Sequence, residues 1–186
     1  MLAAAGLPLK QSEPAWPEFK PHTRFGQLPH LQSSDGLEVS QSAAICRVLA
    51  RRGGLVPASE PEFAVSEMLM EEYGDLLNAL GKAMYGGPLA ERPARFAALL
   101  APGGGARAHL AHFESLLAPG AASFTTAVSV GECAVACALH VLLGLEPSIL
   151  AEGLPGLARF WAARGPRTAA ALAGLAPYYH PASKEE

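Results

Sequence analysis

Beyond Pro61 the apolar positions recur at helical spacing and are punctuated by glycine and proline. Phe63, Met68, Leu69, Tyr73, Leu76, Leu77 and Leu80 form a broad stripe that predicts one long helix over 62–85, stopped by Gly86, Gly87 and Pro88. Glu67, Glu71, Glu72 and Asp75 interrupt that stripe, and Glu71 and Glu72 read as a solvated face. Further helices are expected over 93–100, 107–117, 130–143, 157–164 and 167–175. Ser129 and Glu132 have capping-box spacing ahead of an apolar run, so the serine oxygen should accept an N3 amide while the glutamate reaches back.

Before residue 60 the pattern is mixed. Two short β-capable runs, 28–32 and 37–39, flank Ser33, Ser34, Asp35 and Gly36, and Asp-Gly between such runs predicts a hairpin. A helix follows, with Ile45, Val48 and Leu49 on one face, Arg51 and Arg52 near its end, and Gly53-Gly54 as its stop. The shift from mixed to helical patterning sets a boundary between Val56 and Pro61. It divides the chain into a first unit, 1–56, and an all-helical second unit, 60–186.

The chain has 186 residues, 50% of them hydrophobic, enough to bury a core of ordinary size. The formal net charge is -3 and the 14 basic residues are scattered, which argues against nucleic acid and in favour of a small neutral or acidic ligand. The apolar run 134–145 is too short to span a bilayer and contains His140. No cationic segment precedes the apolar start, and Gly6 and Pro8 interrupt it, so no signal peptide is expected and a cytoplasmic location is. Cys46, Cys133 and Cys137 fit neither a disulfide framework nor a zinc pattern and read as small core thiols.

Other candidate chemistry is thin. His109 and His112 stand three apart near Glu114 but lack a third ligand at zinc-like spacing, so they read as a helix face and no metal is expected. Gly103-Gly104-Gly105 is not followed by the Lys-Ser/Thr of a phosphate loop, and no Gly-x-Ser-x-Gly elbow is present. Met84 and Tyr85 are weak pocket candidates, and Tyr178 and Tyr179 are expected to pack against the helices.

The specific signal is an ordered set of segments: Trp16-Pro17-Glu18-Phe19-Lys20, then Phe25-Gly26-Gln27-Leu28-Pro29, then Asp35-Gly36-Leu37, then Gln41-Ser42-Ala43-Ala44-Ile45-Cys46-Arg47. In order and spacing they resemble the sigma-class, prostaglandin D synthase-like glutathione transferases. With Glu71 to Asp75 and the Ser-x-x-Glu box, the resemblance extends over nearly the whole chain. It implies an α/β thioredoxin-like N-terminal domain packed on an all-α C-terminal domain that also supplies a homodimer interface. It implies glutathione as co-substrate and a hydrophobic electrophile as its partner.

By the same resemblance, Trp16 and Lys20 meet the glycyl end of glutathione and Gln27 is a further contact. The Leu28–Pro29 bond is cis and turns backbone groups toward the cysteinyl part. Gln41 and Ser42 receive the γ-glutamyl carboxylate at a helix start, where free amides favour an anion. Asp75 reaches the glutathione of the partner subunit.

The family's first strand carries a tyrosine whose hydroxyl stabilises the glutathione thiolate. This chain is expected to begin inside the helix after that strand, with the thioredoxin-like domain incomplete, and Tyr73, Tyr85, Tyr178 and Tyr179 do not occupy the equivalent position. The resemblance therefore leaves two readings: an N-terminally truncated transferase, or a non-catalytic binding or structural relative like the crystallins of this class.

Overall fold

In the computed structural model, residues 2–8, 10, 12, 15, 16 and 18–173 are described. The N-terminal part holds a short helix α1 (Leu2–Ala5), a 3-10 turn (Lys20–His22), strands β1 (His30–Gln32) and β2 (Glu38–Ser40), and helix α2 (Ser42–Arg52). The strands pair antiparallel, with Leu31 opposite Val39, and Gly36 takes the positive φ of 84° that the connection requires. Among the described residues these are the only strands. The remainder is helical: α3 (Glu60–Tyr85), α4 (Arg92–Leu100), α5 (Gly105–Ser115), α6 (Val130–Leu145) and α7 (Pro155–Leu172).

Helix α3 is the axis, packing against α4, α5 and α6. The Ser59 side chain accepts from the Glu62 amide at its start, Pro61 sits in its first turn, and Gly86 caps its end. Two arginines close the C-terminal end: Arg92, fully buried, donates to the Met84 carbonyl, and Arg95 to the Ala83 carbonyl, both at 3.0 Å. Leu69, Leu76 and Leu80 then meet Phe96, Leu110, Phe113, Leu139 and Phe160 in the main core.

The start of α6 ties three elements together. The Val130 amide donates to the Leu55 carbonyl at 3.0 Å, that of Gly131 to Ser66 Oγ at 3.1 Å, and that of Glu132 to Ser129 Oγ at 3.2 Å. The Glu132 carboxylate does not reach back to the cap as a capping box requires. It accepts from the Phe124 and Thr125 amides and pairs with Arg164 at 3.2 Å, although the residue is only 1% exposed. The reason is the buried 124–125 turn, whose two amides it satisfies.

Three other expectations are corrected. The helices expected over 157–164 and 167–175 are one helix, α7, with Pro166 inside it. The break that a missing N–H favours does not occur in a helix that packs against α5 and α6 with Leu157, Phe160 and Gly165 buried. Glu72 does not lie on a solvated face: its side chain is 20% exposed and receives His109 and His112, whereas Glu71 is exposed and pairs with Arg47. Glu114 is not near those histidines in function either, since its carboxylate accepts from the Gly156 and Leu157 amides at the start of α7, 2.7 Å each. Tyr178 and Tyr179 lie outside the described residues, and no helix among the described residues is long and apolar enough to cross a membrane.

A Cβ at Gly131 would stand 2.4 Å from the Ser66 carbonyl oxygen, so Gly131→Ala should push α6 off α3. The expected loss is roughly 1–3 kcal/mol or more, read as a lower urea midpoint at unchanged slope. An unchanged midpoint would show that this approach is not tight.

Candidate functional site

The Leu28–Pro29 peptide is cis, as the motif implies, and stands just before β1. Gly26 ahead of it has a φ of 64°, and the Lys20 side chain lies over it, with Cε 3.3 Å from where a Cβ would sit. The 3-10 turn therefore delivers Lys20 to the side of the 25–29 loop. Across from the loop, Gln41 Nε2 lies 3.4 Å from Gln27 Oε1. Three of the expected site segments thus meet in one place.

Gln41 has a φ of 76° and a ψ of 123°, the only positive φ of a non-glycine residue among those described. Such a conformation costs about 1–3 kcal/mol and persists only where the surroundings hold it. Gln41 is also the N-cap of α2, yet its side chain makes no capping bond, and the first intrahelical bond runs from the Ile45 amide to its carbonyl at 2.9 Å. Ser42 is accordingly the first helical residue, not the cap. The amides of 42–44 precede the intrahelical ladder and point out of the α2 start, where the helix dipole favours an anion.

Leu28, Pro29 and Ser42 border a cleft of about 460 Å³ whose other wall is Tyr73, Leu77 and Leu80 of α3 with Ala138 and Val141 of α6. Mostly apolar walls with a few polar groups at one end suit an amphipathic ligand. Tyr73 was missed by sequence reasoning, which compared tyrosines by position along the chain. The clue was its place on the stripe with Leu77 and Leu80, which turns it to the same wall.

Of the expected site residues only Leu28, Pro29 and Ser42 line this cleft; Trp16, Lys20, Gln27, Gln41 and Asp75 do not. Trp16 is 44% exposed ahead of the 3-10 turn, and Asp75 is exposed on α3, one turn beyond Glu71. Cys46, Cys133 and Cys137 are free and half-buried, and burial pushes each thiol up from its ordinary range. They stay protonated near neutral pH and are poor nucleophiles.

Comparison with known proteins bears on this arrangement. No family model matches the chain. A Caenorhabditis elegans protein named glutathione S-transferase 4 is 42% identical over 62 residues, 33% of this chain and 30% of the relative. The hematopoietic prostaglandin D synthase of Gallus gallus is 37% identical over 62 residues, 33% of this chain and 31% of the relative. The matches therefore span under a third of the length of these curated relatives. The solved structure of the glutathione S-transferase from Ascaris lumbricoides superposes with a TM-score of 0.74 at 26% identity, covering 95% of this chain and 90% of that one. The chain is glutathione transferase-like. In this glutathione transferase-like frame the two-stranded unit with its cis-proline is the thioredoxin-like part, and α3 to α7 form the helical part.

Gln41→Gly should relieve the backbone strain and raise stability by about 1 kcal/mol in urea unfolding. A loss of stability would mean that the Gln41 side chain, through Gln27, supports the fold more than its backbone burdens it.

Proposed function

We propose that the chain binds glutathione in the cleft beside Leu28–Pro29 and Ser42 and transfers it to a hydrophobic electrophile. The observation that supports this best is the convergence of a cis-Leu28–Pro29 bond, a strained Gln41 and an uncapped helix start on one apolar cleft. An extended peptide pairs with the backbone at residue 28, its γ-glutamyl carboxylate meets the 42–44 amides and Ser42, and its glycyl carboxylate faces Lys20 and Trp16. Gln27 and Gln41 hold the loop and helix start in register. The hydrophobic co-substrate takes the Leu77, Leu80, Ala138 and Val141 wall.

In the reaction, the glutathione thiol gives its proton to water, its sulfur bonds to the electrophilic carbon, and the leaving group departs with the broken bond's electron pair. The protein's part is to favour the thiolate. Ser42 and Tyr73 are the hydroxyl-bearing residues of the cleft wall, and with Ser42 on the carboxylate we assign the sulfur to Tyr73.

A homodimer through α3 is part of the same reading. Phe63 and Met68 are 43% and 47% exposed on that helix, and a second copy covering them would bring Asp75 toward its partner's glutathione amine. Three free cysteines fit a reducing, cytoplasmic setting.

Ser42→Ala should weaken glutathione binding about 10- to 100-fold in calorimetric titration, as expected for a lost hydrogen bond to a charged group, and Gln41→Ala should weaken it as well by loosening the register of the loop and helix start. Unchanged affinity in both would show that the α2 start does not hold the carboxylate. Tyr73→Phe should lower turnover of an aromatic electrophile about tenfold while glutathione affinity holds within roughly twofold. Equal turnover would remove Tyr73 from the sulfur.

A further inference from the structure

The pairing of α3 with α5 brings together three side chains that sequence spacing does not connect. His109 and His112 stand three apart and project from one face of α5, their rings 6.0 Å apart and nearly perpendicular. Glu72 projects from α3 between them, with its Oε1 2.7 Å from Nδ1 of each histidine. One ligand atom from each residue lies within 4.8 Å of the others. We propose that Glu72, His109 and His112 form a binding site for a divalent transition-metal ion of the zinc type, clamping α3 to α5.

The donor set and geometry carry this. Two imidazole nitrogens and one carboxylate oxygen are ligands that zinc, nickel and copper prefer over magnesium or calcium, which take oxygen-only shells. Ligands about 2.0–2.1 Å from a tetrahedral zinc stand roughly 3.3 Å apart, so each 2.7 Å contact needs to open by only about half an ångström, within reach of small side-chain rotations. His109 and Glu72 are about one-fifth exposed and form the floor, whereas His112 is 63% exposed and leaves an entry path and a fourth position for water.

None of the three residues lines the cleft, and the acidic neighbour on α5, Glu114, is committed to α7. The ion is therefore a brace between α3 and α5, separate from glutathione binding.

The test uses the full chain, stripped with a chelator and titrated with Zn²⁺ alone by calorimetry. One equivalent should bind with a dissociation constant on the order of micromolar, and excess Zn²⁺, unlike Mg²⁺, should raise the melting midpoint by several degrees. His112→Ala, at an exposed position, and Glu72→Gln should each weaken Zn²⁺ at least tenfold, with glutathione titration unaffected. Co²⁺ in place of zinc should show no sulfur charge-transfer band, since the three cysteines are not ligands. Binding weaker than about millimolar, Zn²⁺ affinity that survives both variants, or a thiolate band with Co²⁺ would each overturn the site.

Discussion

The first turn of α6 is the constraint on which the rest depends. A helix start leaves its first amides without intrahelical partners, and here each finds one from a different part of the chain: Leu55 from the segment after α2, Ser66 from α3, and Ser129 from the helix's own cap. Gly131 makes this possible, because any side chain there would meet the α3 backbone. Glu132 then anchors the 124–125 turn and Arg164 of α7 from a buried position. A buried carboxylate is tolerable only when so fully engaged. The same turn of helix therefore fixes α3 against α6, α7 against α6, and the N-terminal part against the helices.

The cleft follows from that placement. With α3 and α6 locked at one end, Tyr73, Leu77 and Leu80 face Ala138 and Val141 farther along, and the Leu55 link sets α2 so that Ser42 closes the polar end. Apolar walls come from the helices and polar contacts from the loop and the α2 start, a division of labour suited to a ligand with a charged peptide half and a reactive sulfur. The backbone of Gln41 is the local cost of that arrangement.

Much of this could be read from the residues in order. The hairpin around Asp35-Gly36, the long α3 and the Ser129 cap each depend on local chemistry, and local chemistry is visible along a chain, whereas the cis bond at Leu28–Pro29 is expected only from the family resemblance. What escaped was nonlocal. Pro166 reads as a break, yet α7 runs through it while packed on α5 and α6. Glu72 reads as solvated and His109 and His112 as a helix face, because only the packing of α3 on α5 joins them. Glu132 fits a capping box, but its partners are set by a turn seven and eight residues upstream. Tyr73 reads as part of the apolar stripe with Leu77 and Leu80, and the α3–α6 geometry turns that stripe into a wall of the cleft.

The central claim is that glutathione occupies the cleft formed by residue 28, the α2 start and the α3–α6 wall. An amide-resolved NMR titration of the isotopically labelled chain with glutathione addresses it directly. The account predicts saturable shifts at Gln27, Leu28, Gln41, Ser42 and Tyr73, with Glu72, His109 and His112 unmoved. No shifts at millimolar glutathione, or shifts confined to residues outside that cleft, would contradict it.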